Sequence, residues 1–276
     1  MYLVTVLGNL LIILAVISNS HLHTPMYFFL SNLSFTDICF TSSTVPKLIV
    51  DIVTHIRVIH YAECLTQISL FLFFGFMDYI LLTVMAYDRF VAICHPLHYA
   101  VIMNPHRCVL LLLLSIFLSF LDSQAHNLIA LQVTCFKDVK IASFFCDPSQ
   151  LLDLSCSDTF KKNVTIYILG ILFGFFPMSG IIFSYYKIVS VLLKIASSRG
   201  RYKAFSTCFS HMSVVCLFLG TSLGTYLGSR TSHTPRKGMV ASLMYTLVTP
   251  MLNPFIYSLR NRDILSTLKK LYFCEM

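Results

Sequence analysis

Long apolar runs separated by short polar segments dominate the pattern of this chain. A helix needs about 20 mainly apolar residues to cross a hydrocarbon core of about 30 Å. Runs of this kind lie at about Tyr2–Ile17, Pro25–Ile49, Cys64–Ile93, Cys108–Leu121 with some extension, Val164–Leu193, Phe205–Leu227 and Met239–Leu259. Internal prolines and glycines mark bends, because neighbouring helices satisfy the backbone groups that they leave free. The pattern predicts an all-α membrane protein, a seven-transmembrane-helix bundle.

The polar segments define one domain over residues 1–276. The first helix is expected at about residues 1–18, a long extracellular loop at about 127–162, and a tail at about 260–276 that forms a short C-terminal amphipathic helix. The other connections are short. No internal repeat stands out.

Charge is scarce and lies mostly between the runs. Only 12% of the residues are charged, against about 25% in soluble domains. If the Ser18–Thr24 turn is cytoplasmic, that side collects most Lys and Arg of the short loops, which places the C-terminus inside the cell. The net charge of +8 comes from Lys and Arg residues in scattered clusters without interleaved aromatic residues. We therefore expect the chain to contact membrane lipid and not nucleic acid.

The sequence lacks the motifs that common classes of enzyme use. It has no Gly-rich phosphate loop, no HExxH and no Ser/His/Asp set that the sequence nominates. The ten cysteines include no CxxC pair, so no metal site and no cofactor are expected. The rival class is an ion-coupled transporter, because buried carboxylates and broken helices also serve ion coupling; the absence of an inverted repeat argues against it.

Polar residues inside the runs are costly in lipid and are usually kept for function. They are Asn9, Asp37, Asp78, Asp88, Arg89, Asn253 and Tyr257. Two carboxylates facing each other, Asp37 and Asp78, need a sodium ion or a shared proton between them. The alternative is that Asp78 stays neutral and accepts a hydrogen bond from a hydroxyl. For Asp88 and Arg89 the alternative is snorkelling to the interface.

Four motifs carry a resemblance to a known family. They are Leu22-His-Thr-Pro-Met-Tyr-Phe-Phe-Leu30, Met85-Ala-Tyr-Asp-Arg-Phe-Val-Ala-Ile-Cys94, Lys203-Ala-Phe-Ser-Thr-Cys208 with Ser210-His211, and Pro250-Met-Leu-Asn-Pro-Phe-Ile-Tyr257. The chain resembles vertebrate olfactory receptors, from Gly8-Asn9 to Leu259-Arg260-Asn261. The resemblance implies a rhodopsin-like odorant receptor of the plasma membrane that couples to a heterotrimeric G protein of the olfactory stimulatory type and raises cyclic AMP.

The resemblance also implies roles for single residues. Asp88 holds Arg89 at rest, and Arg89 meets the G protein after the sixth helix moves outward. Tyr185 and Tyr257 supply hydroxyls to the rearranged inner network, and Asn253-Pro254 gives the seventh helix a kink with a side chain aimed at Asp37. The implied disulfides are Cys64–Cys146 and Cys135–Cys156.

An apolar ligand site is expected in the outer half of the bundle. The third run has no acidic residue between Cys64 and Met77 to pair with an amine, and the seventh has no lysine for a Schiff base. Helical spacing and the resemblance select Phe71, Leu72, Gly75, Phe76, Tyr79, Leu219, Ser222, Tyr226 and Thr246. Without the resemblance, such a stripe is ordinary helix packing. The family usually has an aromatic residue at the position of Leu219.

The beginning of the chain differs from the family pattern. Only seven residues precede Gly8, whereas relatives carry an extracellular tail and a longer first helix. A helix from Met1 to Ile17 spans about 26 Å, short of a core of about 30 Å. From the resemblance we expect a truncated first helix, weak insertion and poor surface delivery, so that this form is either an incomplete gene model or a poorly functional family member.

Overall fold

A computed structural model describes residues 1–54, 59–132, 146, 151, 160–194, 198–231, 242–260 and 262–274. Within these ranges the side chains of 160–161, 163, 198–207, 225–231, 258–260, 262 and 271–274 lie outside the description.

The described chain is a bundle of helices, as the apolar runs predict. The helices are α1 (Tyr2–Ser18), α2 (Pro25–Thr54), α3 (Tyr61–Cys94), α4 (Pro105–Leu131), α5 (Phe160–Leu192), α6 (Ser198–Thr231), α7 and α8 (Arg262–Cys274). Helix α7 opens with a π-helical turn, Met244–Val248, and continues as Thr249–Arg260. The fold is the predicted seven-helix bundle, followed by the predicted short C-terminal helix.

Local signals set several helix ends. Asn104 caps α4 by accepting the backbone N–H of Arg107 at 2.9 Å, and Pro105 occupies the first helical position, where no N–H is needed. At the start of α3, the carboxylate of Glu63 accepts the backbone N–H of His60 at 3.3 Å.

Several helices run further than the apolar runs predict. Helix α6 begins at Ser198 and not near Phe205, and α5 begins at Phe160, inside the loop predicted at about 127–162. Helix α2 continues to Thr54, where Lys47 and Asp51 form an i, i+4 ion pair of 2.9 Å. Helix α4 continues to Leu131, so residues 127–131, which were assigned to the long loop, are helical. The predicted runs were ended at the first charged or polar residues. A helix nevertheless continues through such residues where they form ion pairs or face the protein interior.

Helix α3 is the centre of the bundle and packs against α2, α4 and α5. Its residues Leu81 and Leu82 are almost fully buried, as are Leu33 of α2 and Ile188 of α5. By length and apolar composition, α3, α4 and Val164–Leu192 of α5 qualify as candidate membrane spans among the described residues.

Helix α4 has an unusual distribution of polarity. Its outer face is exposed and apolar, with Leu110, Leu113, Phe117 and Leu128. Its buried stripe is mostly polar and consists of Ser115, Ser119, Asp122, Ser123, His126, Asn127, Ile129 and Ala130. Ser123 donates to the backbone carbonyl of Ser69 in α3 at 2.8 Å, and Asn127 donates to the Ser69 hydroxyl. Hydrogen bonds therefore join α4 to α3.

Candidate functional site

The inner end of α3 carries Asp88 and Arg89, which have different partners. Asp88 is buried, and its Oδ1 accepts the hydroxyl of Tyr99 at 2.8 Å from the turn that follows α3. Burial and the neighbouring Asp88 carboxyl raise the pKa of Tyr99, so its phenol stays protonated and donates. The guanidinium of Arg89 contacts the sulfur of Met26 in α2. Within the described ranges no ion pair closer than 4.0 Å joins Arg89 to Asp88, although the guanidinium interacts electrostatically with the carboxyl group.

A second inner contact joins α5 to α6. The hydroxyl of Tyr185 lies 2.5 Å from Nδ1 of His211, and the two rings stack at 5.8 Å. Tyr257 of α7 is buried, and its hydroxyl has no hydrogen-bond partner among the described residues. The inner ends of α3, α5, α6 and α7 thus place a cation, an imidazole and two phenols in one region.

A polar group lies deeper in the bundle, between α2, α3 and α7. The amide nitrogen of Asn253 donates to both carboxyl oxygens of Asp37, at 3.1 and 3.0 Å. Asp78 is buried and interacts electrostatically with Asp37. Oδ1 of Asp78 and Oδ1 of Asn253 are buried acceptors without a donor in the part of the chain that the structure describes. The arrangement offers oxygen atoms suited to a cation or a proton.

Helix α1 reaches the same region. Asn9 is fully buried and donates to the carbonyl of Pro250 at 3.3 Å and to that of Thr5 at 3.0 Å. Pro254 packs close to Gly8, where an added Cβ would lie 3.2 Å from its ring. The first glycine of the chain therefore permits α1 to approach the Asn253-Pro254 kink.

Aromatic rings fill the middle of the outer half. Phe71 of α3 lies 5.0 Å from Phe40 of α2 and 6.1 Å from Tyr245 of α7, between ring centroids. Phe218 of α6 lies 5.5 Å from Tyr245. A Cβ on Gly75 would come within 3.1 Å of both Phe40 and the Tyr245 hydroxyl, so glycine makes room for these rings. The predicted Phe71 and Gly75 thus belong to one cluster.

The remaining α3 residues of the predicted ligand site extend this cluster toward α5. Phe76 contacts Phe173 edge to face at 5.4 Å, and Tyr79 lies against Phe218 at 5.6 Å. The Tyr79 hydroxyl donates to the carbonyl of Gly174 at 3.0 Å. Leu72 packs on the same cluster, at its contact with Phe40 and Phe71.

The predicted hydroxyl groups of α6 and α7 lie in different settings. Thr246 is fully buried in the π-helical turn and donates to the carbonyl of Ser242 at 2.8 Å. Ser222 donates to the carbonyl of Leu219 at 3.1 Å, and Leu219 packs against the core. The side chain of Tyr226 lies outside the described residues.

Several residues of the site were not predicted from the sequence. Phe40, Tyr245 and Phe218 complete the aromatic cluster, and Tyr99 and His211 complete the inner contacts. The π-helical turn at Tyr245 has no local sequence signature. His211 is part of one of the four motifs, and the His-Pro-Leu-His-Tyr segment that ends in Tyr99 directly follows the motif that ends in Cys94, so both residues could have been predicted.

A disulfide closes the outer end of α3. Cys64 is joined to Cys146, with the two Cα atoms 5.5 Å apart, and both residues are buried. The backbone N–H of Cys146 also donates to Oε1 of Gln67 at 3.0 Å. The second implied pair, Cys135 and Cys156, lies outside the described residues.

The fold defines a class of architecture, the rhodopsin-like seven-helix bundle. Squid rhodopsin matches the structure with a TM-score of 0.73 at 18% identity, over 98% of this chain and 82% of that one. A sequence model of the olfactory receptor family matches residues 1–275. The chain belongs to the olfactory receptor family; it is a multi-pass membrane receptor and not an enzyme.

Individual relatives agree over nearly the whole chain. Human olfactory receptor 7E24 is 70% identical over 99% of this chain and 80% of its own length. Mouse olfactory receptor 7E178 is 67% identical over 96% of this chain and 80% of its own. Human olfactory receptor 7D4 is 58% identical over 98% and 87%.

Proposed function

We propose that this receptor binds small, mostly apolar volatile compounds inside the helix bundle and activates a heterotrimeric G protein of the olfactory stimulatory type, which raises cyclic AMP. The observation that carries the proposal is the aromatic cluster of Phe40, Phe71, Phe218 and Tyr245, which joins α2, α3, α6 and α7. A ligand in contact with these rings touches the helices whose inner ends hold Arg89 and His211.

The polarity of the region favours neutral ligands. The outer half of α3 offers apolar side chains with a few hydroxyl groups, and no carboxylate lies between Cys64 and Met77. A buried ammonium group without a partner is costly. Neutral ligands with one hydrogen-bonding group therefore fit best.

Localisation and topology follow from the same proposal. The receptor works in the plasma membrane, in contact with lipid, with its C-terminus in the cytoplasm, where Arg89 and α8 face the G protein. In the extracellular loop, Cys135 and Cys156 form a second disulfide beside Cys64–Cys146. Partial proteolysis and mass spectrometry without reduction test that pair.

The proposal is tested by screening volatile compounds on cells that express the chain with receptor chaperones and a cyclic AMP reporter. Activation should be saturable and absent from cells with the Arg89→Ala variant at equal surface level. Uptake of the same compounds is measured in parallel. Uptake without cyclic AMP would instead establish the ion-coupled transporter.

We further propose a sodium ion or a shared proton between Asp37 and Asp78. The unpartnered oxygens of Asp78 and Asn253 beside the Asp37 carboxylate support it. Replacing extracellular sodium with a large organic cation should change agonist potency in the wild-type receptor, and Asp78→Asn should remove that dependence. If sodium has no effect, a pH series from 6 to 8 tests the proton; insensitivity to both excludes the proposal.

A further inference from the structure

The sulfur of Met26 lies against the guanidinium of Arg89 at the inner end of the bundle. Met26 is the second residue of α2, and Arg89 lies in the last turns of α3. A thioether sulfur is a weak hydrogen-bond acceptor, whereas the guanidinium is permanently charged and offers several N–H donors. The sulfur therefore satisfies little of the hydrogen-bonding capacity of Arg89.

Side chains from four helices interact electrostatically with Arg89. They are Asp88 of α3, Tyr185 of α5, His211 of α6 and Tyr257 of α7. A chemical change at Met26 therefore acts directly on the residue with which all of these side chains interact.

Met26 is accessible to solvent, unlike two other methionines near the inner end of α3. It is partly exposed, and the nearby His23 and Thr24 are exposed. Met85 of α3 and Met103, in the turn between α3 and α4, are each only 3% exposed. A thioether must meet its oxidant to react, so a hydroperoxide in the surrounding water reaches Met26 before it reaches the other two.

A hydroperoxide converts this weak acceptor into a strong one. The sulfur lone pair of Met26 attacks one peroxide oxygen, an S–O bond forms and the O–O bond breaks. The proton of the transferred oxygen passes to the leaving oxygen, which departs as water or as an alcohol. The sulfur is oxidised by two electrons, and the peroxide is reduced by two. The sulfoxide oxygen carries a partial negative charge and accepts N–H groups of Arg89 in charge-assisted hydrogen bonds.

We propose that Met26 is a site of reversible oxidation by hydroperoxides, and that its sulfoxide holds Arg89 so that the G protein cannot bind the guanidinium. Methionine sulfoxide reductases, with a thiol as the electron donor, return the sulfur to the thioether. Coupling to the G protein then falls under oxidising conditions without any change at the ligand site. This inference rests on the proposed function, since it takes Arg89 as the contact of the G protein.

The first experiment measures the modification without any signalling. The purified full chain in lipid nanodiscs is treated with hydrogen peroxide and digested, and mass spectrometry follows the gain of one oxygen atom at each methionine. Met26 should be oxidised at least about fivefold faster than the buried Met85 and Met103. Equal rates at the three residues overturn the proposal.

The second experiment measures how firmly Arg89 is held. Phenylglyoxal, which modifies accessible arginine side chains, is applied to the untreated and to the peroxide-treated chain. Oxidation should slow the modification of Arg89 about fivefold, because the sulfoxide binds the guanidinium. Arg107, an exposed residue at the start of α4, is modified in the same samples and should react equally fast in both. An unchanged rate at Arg89 overturns the proposal.

Two substitutions at Met26 separate the effect of the added oxygen from other effects of peroxide. Met26→Gln places a carbonyl oxygen at the position of the sulfoxide oxygen, on a side chain of equal length, so it should slow the modification of Arg89 without peroxide. Met26→Leu keeps an apolar side chain of similar volume and has no sulfur, so it should match the untreated wild type before and after peroxide. Met212→Leu removes a partly buried methionine of α6 and serves as the control, which should stay sensitive to peroxide.

The third experiment measures coupling with no odorant added. The nanodiscs are incubated with a purified heterotrimeric G protein of the olfactory stimulatory type, and nucleotide exchange is recorded. Peroxide, removed by catalase beforehand, should lower receptor-catalysed exchange about fivefold in the wild type, and Met26→Gln should show the same loss untreated.

Reduction identifies which residue type carries the effect on exchange. Methionine sulfoxide reductases for both sulfoxide epimers, supplied with dithiothreitol, should restore exchange, whereas dithiothreitol alone, which reduces disulfides and sulfenic acids, should not. Untreated receptor receives the same additions. Recovery with dithiothreitol alone would assign the effect to cysteines and overturn the proposal.

The outcomes separate this inference from the proposed function on which it rests. If the untreated wild type catalyses exchange and the oxidised receptor matches it, the inference fails and the proposed function stands. If the untreated wild type raises neither exchange here nor cyclic AMP with any volatile compound of the screen, the proposed function fails and the inference fails with it.

Discussion

The contacts of two adjacent residues, Asp88 and Arg89, bear on how the Arg89 side chain could bind a partner. The Asp88 carboxyl group already has a donor in Tyr99. Among the described residues, the one hydrogen-bond partner of the permanently charged Arg89 guanidinium is the soft sulfur of Met26. A cation held this weakly is available to a partner that brings backbone carbonyls or carboxylates.

Arg89→Ala should leave surface expression intact and abolish agonist-evoked cyclic AMP, because in the proposed function this residue meets the G protein and not the ligand. Surface immunostaining and the cyclic AMP reporter measure the two quantities on the same cells. Arg107→Ala, a change to a basic residue at the start of α4, is the control and should signal normally. Full signalling by Arg89→Ala would refute the assignment.

Tyr99→Phe should make activation harder. Without the phenol, Asp88 takes the guanidinium of Arg89 as its donor, and that new pair must break before the G protein can bind. One hydrogen bond of about 1 kcal/mol corresponds to a roughly fivefold rise in the agonist EC50. Dose–response curves at matched surface level measure it, with Tyr186→Phe as the control. A lower EC50 would show that the Tyr99 contact restrains the receptor instead.

At the scale of elements, the helices follow from the apolar runs because lipid requires every backbone polar group to be bonded within its segment. That rule located the helices but not their ends. Asp51 in α2 and Asp122 in α4 lie beyond the predicted runs, which ended at about Ile49 and Leu121, although the helices continue. The contact of Asn253 with Asp37 was expected from motifs. The contact between Tyr245 and Phe40 was not expected, because it depends on a π-helical turn and on helix packing, which no local sequence pattern encodes.

The disulfide between Cys64 and Cys146 should stabilise the outer end of α3. Cys146→Ser should lower the unfolding free energy by about 2 to 4 kcal/mol, and the double variant Cys64→Ser/Cys146→Ser should lose no more than the single one. Thermal unfolding of the purified receptor, followed by light scattering, measures it. Cys216→Ser changes an exposed free thiol and serves as the control. A loss in the double variant close to twice that of the single one would mean that the two cysteines act separately.

On the scale of the whole molecule, the location of charge bears on which ligands the proposed site would accept. The buried carboxyl groups Asp37 and Asp78 lie with Asn253, and the outer half of α3 below the disulfide carries none down to Met77. The outer half of α3 therefore gives the aromatic cluster an apolar environment and supplies it with no counter-ion.

Neutral or weakly polar volatiles should outperform amines of the same carbon skeleton by at least tenfold in EC50, since an unpaired ammonium is costly to bury. Matched alcohol, ketone and amine series in the cyclic AMP assay measure the difference. An amine that is as potent as its alcohol would require an acidic partner at the cluster and would contradict this ligand assignment.

The polar stripe of α4 has a consequence for biosynthesis. A carboxylate such as Asp122 near the middle of a span costs about 2.5 to 3.5 kcal/mol when a helix enters lipid alone. His126 lies 3.5 Å from that carboxylate on the same helix, whereas Asn127 adds to the cost. That cost falls when Ser123 and Asn127 meet Ser69 of α3. Helix α4 should therefore leave the translocon late, already paired with α3, and the receptor is assembled from its centre outward. Mutations on that shared face would then reduce the amount of receptor made before they change how it responds.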